Sequence, residues 1–304
     1  MSKKQLLPLL LLPVIWGSYY VASHEALSLM SVFSVGIVIR AVTMVFLTVL
    51  MGVRGELKDL FRVNRVWKWL CLIGLMGFLL DTTAFIGLQL SPAGIGTALL
   101  KCDVLFVNLI SVVVYKERFT VSDWILSLVM LFGVFLVLNI DLAHLDLFNV
   151  GNIFFILSAL FVSINAFLIK AAQHHPQNPV SDNVIAYYNN FITLVLFCIA
   201  AAVTRQLGEL GQMGGNSYLL WALLASGVGQ TLIYVVYYYD LRRNPVWLVK
   251  VILLLMPIVA AVLGLFLFGD TMTPMQCAGL VVVLAGALCI LVTHHRREVQ
   301  RTQS

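Results

Sequence analysis

Five ionisable side chains stand inside long apolar runs of this chain. Lys101 and Asp103 share one run, Lys250 lies in another, and Arg40 and Asp81 occupy two more, with Asn108 one turn and a half beyond Asp103. On insertion scales an ionised group costs about 2.5–3.5 kcal/mol at the centre of a membrane helix, so groups kept there line a pathway or pair with one another. The three cations could meet a carboxylate or another anion. The two acids could pair with them or carry a coupling proton. Thr97, Lys101, Asn108 and Ser111 are spaced by 4, 7 and 3 residues, which lays them along one helix face. Asp103 points away from that face, with Arg40 at similar depth as one partner for it. Asp81 and Lys101 fall at similar depth on two antiparallel helices joined by a short turn, which makes an ion pair between them an expectation. Lys250 lies one turn from a membrane edge and could instead snorkel towards it.

Polar aromatic groups form a second set. Trp16, Tyr19, Tyr20 and Ser23 share one helix face, and Gln230, Tyr234, Tyr237 and Tyr238 share another. Such faces either pack helices or wall a cavity, and Asn165 belongs to the same class. The six histidines fall at ends and connections without carboxylate or cysteine at ligand spacing, so no metal site is expected. The five cysteines lie in apolar runs and read as buried free thiols. Neither a Gly-rich phosphate loop nor a nucleophile arrangement is present, so an enzyme is not indicated and no cofactor is expected.

The elements that must position these residues follow from composition. Hydrophobic residues make up 61% of the chain and charged residues 11%, and the mean hydropathy is +0.98. Soluble domains carry about 25% charged residues, so most of this chain cannot face water. The net charge of +5 therefore reports membrane orientation and not nucleic acid. A hydrocarbon core needs about 20 apolar residues per helix. That rule places ten spans near 6–23, 32–52, 67–88, 93–115, 121–139, 151–171, 184–204, 218–239, 246–268 and 274–293. Nearly every lysine and arginine outside the spans then falls on the side holding both termini, with Arg205 on the other. Under the positive-inside rule both termini are cytoplasmic.

The stretch from Ser91 to Gly133 recurs at a constant offset of 153 as Asn244 to Gly286, with Pro92 on Pro245, Glu117 on Asp270, Thr120 on Thr273 and Gly133 on Gly286. Each half holds an odd number of spans, so the two halves have opposite orientations. Inverted repeats of this kind underlie many transporters, with the substrate near the midplane. The expected fold is all-α and integral to the membrane: ten transmembrane helices as two inverted five-helix repeats, residues 1–145 and 146–304.

Trp16-Gly17-Ser18, Arg40, the LxxSPAG entry to the fourth span, Lys116-Glu117-Arg118 and Gly133 together resemble the EamA family, the ten-helix branch of the drug/metabolite transporters. Pro257, Gly269-Asp270 and Leu284-Ala285-Gly286 repeat the pattern more loosely. The resemblance implies a central cavity, alternating access and transport of small metabolites. The sequence departs from the pattern in having Asp103-Val104 where the second half has Met256-Pro257. Tyr187-Tyr188-Asn189-Asn190 also resembles a motif of nucleotide-sugar and sugar-phosphate carriers, where it contributes to the pocket. Interfacial anchoring is the other reading of those four residues.

The function expected is therefore secondary transport of a small polar metabolite across a bacterial cytoplasmic membrane. The cations favour an amino acid or another carboxylate-bearing compound. A hydrophobic-cation exporter using Asp81 or Asp103 is the alternative, followed by a sugar-phosphate carrier and a purely structural membrane protein. The partners are the substrate, the bilayer and a candidate coupling proton, with no nucleic acid.

Overall fold

The computed structural model describes residues 3–63, 65–90, 98–116, 119–140, 147–176, 180–268 and 273–303. Among them the chain is helical with short 3-10 segments and no strand. The helices are α1 (Lys3–Leu27), α2 (Val32–Arg54), α3 (Trp67–Leu90), α4 (Asp103–Val113), α5 (Val121–Val137), α6 (Val150–Gln173), α7 (Asp182–Val203), α8 (Ser217–Arg243), α9 (Val246–Ile252), α10 (Met256–Phe268) and α11 (Pro274–Gln303). Among the described residues α2, α6, α7, α8 and the Pro274–Thr293 part of α11 are long and apolar enough to cross a bilayer. Phe46, Val49 and Val53 on α2, like Leu128 and Phe132 on α5, are exposed, as lipid-facing side chains are. The protein is an all-helical integral membrane protein, and its elements fit the ten expected spans.

Two of those spans are not continuous helices. In the ninth, Leu253–Leu255 tighten into a 3-10 turn between α9 and α10. Pro257 explains this, because it lacks an N–H and its ring crowds the carbonyl four residues earlier, at Leu253. The fourth span breaks at the equivalent place without a proline. Lys101 and Cys102 form a turn ahead of α4, with Lys101 N–H donating to Ala98 and Cys102 N–H to Leu99, both at 3.0 Å. The break gives Asp103 a place in the first turn of α4, where a negative charge is favoured by the helix dipole. The lack of a proline in the fourth span therefore does not make it straighter than the ninth.

The chain forms two compact units, each drawing on both halves of the sequence. The first comprises Met1–Val14, Thr82–Ser163 and Asn244–Ser304; the second comprises Ile15–Asp81 and Ile164–Arg243. In the first unit α5 packs along α11, α4 against α9, and α10 against α5. The α5–α11 contact carries the repeat in detail. A Cβ on Gly133 would stand 2.7 Å from Val283, and one on Gly286 would stand 2.4 Å from Met130; Met130 and Val283 are themselves equivalent at the offset of 153. A Cβ on Gly279 would meet Leu136 and the Val137 nitrogen at 2.7 Å. Residue numbers thus rise along α5 as they fall along α11, so these two equivalent helices run antiparallel. Small residues let such backbones approach closely. The helix starts correspond as well. Thr120 N–H donates to Asp123 at 2.9 Å, and Thr273 N–H donates to Gln276 at 2.8 Å. These are reciprocal capping boxes at equivalent positions.

In the second unit α2 packs against α7 and α8. Its C-terminal turn closes through Gly55 at φ 70°, a left-handed conformation that glycine adopts without strain. Gly74 and Gly77 of α3 sit against Ile192, Asn189 and Thr193 of α7.

Candidate functional site

The first unit brings Lys101, Asp103, Lys250 and Met256 together at the two helix breaks. Lys250, 1% exposed, donates from Nζ to Asp103 Oδ2 at 2.9 Å, and Asp103 is 5% exposed. Two buried charges of opposite sign thus join α9 to α4. Lys250 does not snorkel: its stem is enclosed and its ammonium is held by the aspartate. Lys101, 8% exposed, lies on the other side of the pseudo-symmetry. Its Nζ touches Met256 Sδ at 3.6 Å, and among the described residues no carboxylate lies within ion-pair distance of it. Met256 is the repeat-equivalent of Asp103. The same position in each repeat therefore reaches a lysine of the other, through a carboxylate in one case and a thioether in the other. Two ammonium groups stand here with one carboxylate, which is held by Lys250, so among the described residues one positive charge in the group is uncompensated. Such an arrangement can receive an anion. The Ser163 hydroxyl of α6 donates to the Asp103 carbonyl at 3.1 Å and tethers the start of α4.

Asn108 does not join this group. Its side-chain amide donates to Ser127 Oγ of α5 at 3.1 Å, which makes it a link between helices. Thr97 lies outside the described residues.

The second unit holds a separate polar cluster. Arg40, 6% exposed, donates to Asp81 Oδ2 at 2.5 Å and to the Tyr234 hydroxyl, with its guanidinium 5.7 Å from the Tyr234 ring centroid. Asn190 donates to the Arg40 carbonyl at 2.8 Å, fixing α7 against α2. Asn189 donates to the Tyr238 hydroxyl at 2.7 Å. Around them Trp16 meets Tyr237 edge to face at 5.3 Å, and Tyr234 meets Tyr238 at 5.5 Å. Tyr19 lies against Gly229. Gln230 and Asn165 are buried in the same unit, the latter with an Oδ1 that has no hydrogen-bond partner among the described residues. The Tyr20 side chain lies outside the described residues.

Two expected pairings are thereby corrected. Asp81 pairs with Arg40 and not with Lys101, and Asp103 pairs with Lys250 and not with Arg40. The cause is the packing of α4 on α9, which brings Asp103 to a lysine distant in sequence. The contacts of Tyr188 fit the anchoring reading of its motif. Its hydroxyl donates to the Leu60 carbonyl at 2.7 Å and its ring meets Trp67 at 5.5 Å. Met256 stood out in the sequence only as the counterpart of Asp103, and nothing there placed it beside Lys101.

Antiparallel repeats that bury a charged cluster at paired helix breaks are the architecture of a membrane transporter. The EamA-like transporter family model matches the chain twice, over residues 3–139 and 149–292. The chain belongs to the EamA family of transporters. It is 25% identical over 203 residues to a probable amino-acid metabolite efflux pump of Salmonella typhimurium, a match covering 64% of this chain and 66% of that relative. A solved crystal structure shares the fold at a TM-score of 0.80 and 15% identity, over 98% of this chain and all of the other.

Proposed function

We propose that the protein moves a small metabolite carrying a carboxylate, an amino acid or a close derivative, and that Lys101 is the residue that meets the anionic group. The observation that carries this reading is the charge inventory at the helix breaks: Asp103 is engaged by Lys250, while the Lys101 ammonium contacts a thioether. A desolvated cation gains far more from an anion than an exposed one does. The Salmonella relative's name, an amino-acid metabolite efflux pump, points to the same chemical class. The charge pattern supports cytoplasmic termini in a bacterial inner membrane, and the antiparallel repeats support alternating access. Nothing in this scheme calls for bond-breaking chemistry.

A hydrophobic-cation exporter is less well supported, because Asp81 and Asp103 already hold Arg40 and Lys250. The sugar-phosphate reading is weaker again, since Tyr188, Asn189 and Asn190 are engaged in holding helices and a loop together. Binding of a panel of amino acids, organic acids and quaternary amines to the purified protein tests the proposal. Stabilisation by the acids, lost in Lys101→Met, is the expected result. Stabilisation by the amines alone would sink it.

A further inference from the structure

The arginine-bearing ends of α2 and α8 and the start of α7 enclose a cleft of about 620 Å³ in the second unit, lined among others by Arg54, Glu56, Asp182, Tyr239, Arg242 and Arg243. Its carboxylates are committed. Glu56 accepts from Asn183 at 2.6 Å, and Asp182 accepts from Gln173 at 2.8 Å and from Arg242 Nε at 2.7 Å. Arg242 is committed too, donating also to the carbonyls of Gln173 and Val180 at 3.0 and 2.5 Å. The other two arginines differ. Arg54 and Arg243 are exposed; among the described residues neither makes a direct ion pair, and Arg243 interacts electrostatically with the buried Asp240 one turn before it. Arg243 is nonetheless ordered, its guanidinium lying 3.6 Å from the Tyr239 ring centroid. The amino end of α7, a helix of 22 residues, opens on the same cleft and adds positive potential.

Apolar side chains lead away from the cleft along both arginine-bearing helices. Phe46, Val49 and Val53 on α2 and Leu232 on α8 are exposed; Val235 and Tyr239 continue the α8 stripe at helical spacing to Arg243. A soluble anion would have no use for these stripes, whereas acyl chains would lie along them. We propose that this cleft binds the phosphate group of an anionic phospholipid, with Arg54 and Arg243 as its ligands and the α2 and α8 stripes as the seat of its chains.

The test adds phosphatidylglycerol, phosphatidylcholine or inorganic phosphate to delipidated full-length protein and counts bound molecules by native mass spectrometry. Basic residues near a membrane surface gain about 1 kcal/mol each from anionic lipid, which is roughly a fivefold change in affinity. Arg54→Gln or Arg243→Gln should each weaken phosphatidylglycerol retention about fivefold, and the double variant about 25-fold. Arg54→Lys should retain most of it, and phosphatidylcholine should bind weakly throughout. Equal retention of both lipids overturns the proposal, as does undiminished retention by a folded double variant. Displacement of the lipid by inorganic phosphate at equal concentration would assign the cleft to a soluble phosphate and overturn the lipid assignment.

Discussion

Replacing the two buried lysines one at a time should have opposite consequences, although both remove one membrane-embedded charge. Lys250→Met strips Asp103 of its partner at 2.9 Å, in a site where the acid is 5% exposed. Breaking a buried pair from one side costs about 3–5 kcal/mol, roughly a hundred- to several thousand-fold in the folding equilibrium at ~1.4 kcal/mol per decade. Lys101→Met strands no carboxylate within the described residues, since its ammonium meets Met256 Sδ at 3.6 Å. It removes a desolvated charge and should leave stability unchanged or higher. In Lys250→Met the freed Asp103 can turn to Lys101, which recovers part of the loss. The double variant Lys101→Met/Lys250→Met closes that route, so its cost should exceed the sum of the single costs by about 1–2 kcal/mol, within the range of coupled neighbours. Asp103→Leu together with Lys250→Met should return most of the stability, because removing both partners of a buried pair is often neutral.

The assay is reversible unfolding in mixed detergent micelles followed by helicity, with binding of an amino-acid panel measured on each folded variant. Lys101→Met should fold like wild type and lose at least about 25-fold in affinity for the anionic ligand, the lower end of the about 2–5 kcal/mol lost when a buried hydrogen-bonded charge loses its partner. The reasoning fails if Lys101→Met is destabilised as much as Lys250→Met, or if Asp103→Leu/Lys250→Met is no more stable than Lys250→Met.

Other expectations rest on the packing and the connections. Gly279→Ala should destabilise by about 1–3 kcal/mol and by more than Gly286→Ala, since the new methyl meets the Gly133 carbonyl and the Val137 nitrogen at 2.7 Å while the second meets the flexible Met130 side chain; thermal unfolding of the two variants checks the order. Asn189→Leu leaves the Tyr238 hydroxyl without its donor at 2.7 Å and should cost about 1–3 kcal/mol in the same measurement, even if ligand affinity holds. Hydrogen bonds from Ser31 hold the Glu209 carboxyl below its ordinary value, so its contribution is present above the usual glutamate range and disappears as pH falls through the depressed value. Glu209→Gln should therefore lower the unfolding temperature slightly near neutrality, with the difference from wild type vanishing at strongly acidic pH. Cysteines placed beside Asp59 and at both termini should label from the cytoplasmic side, and one beside Glu209 from the opposite side; termini labelled from opposite faces would refute an even number of spans.

What the sequence made legible was whatever a period or an offset records. Apolar run lengths located the helices, and the offset of 153 located the repeat and matched Thr120 with Thr273 and Gly133 with Gly286, although not the capping boxes those threonines form. Partner choice was another matter. The pairing of Asp103 with Lys250 depends on α4 crossing α9, and a crossing between helices far apart in sequence leaves no local periodicity to read. The break at Lys101 was equally hidden. It has neither Gly nor Pro beside it, so local propensity gives no sign of it. Proximity of helices in sequence suggested Asp81 as the partner of Lys101, but short connections make neighbours and do not fix which side chains face each other.

The two repeats share their steric parts and differ in their charges, and on the proposed alternating-access cycle that division has a physical rationale. Helix starts, close glycine contacts and paired breaks must serve both conformations of the cycle, and inversion exchanges the roles of the halves. Those features are accordingly duplicated: Thr120 with Thr273, Gly133 with Gly286, and the turn at Lys101-Cys102 with Leu253–Leu255. A ligand with one carboxylate needs one cation. Duplicating Lys101 and Asp103 at Leu254 and Met256 would bury further charges, each requiring compensation in a low-dielectric site. The chain instead balances one lysine with one aspartate across the repeat and sets the second lysine against a polarisable thioether, which can yield to an incoming anion without leaving an unpaired charge of its own.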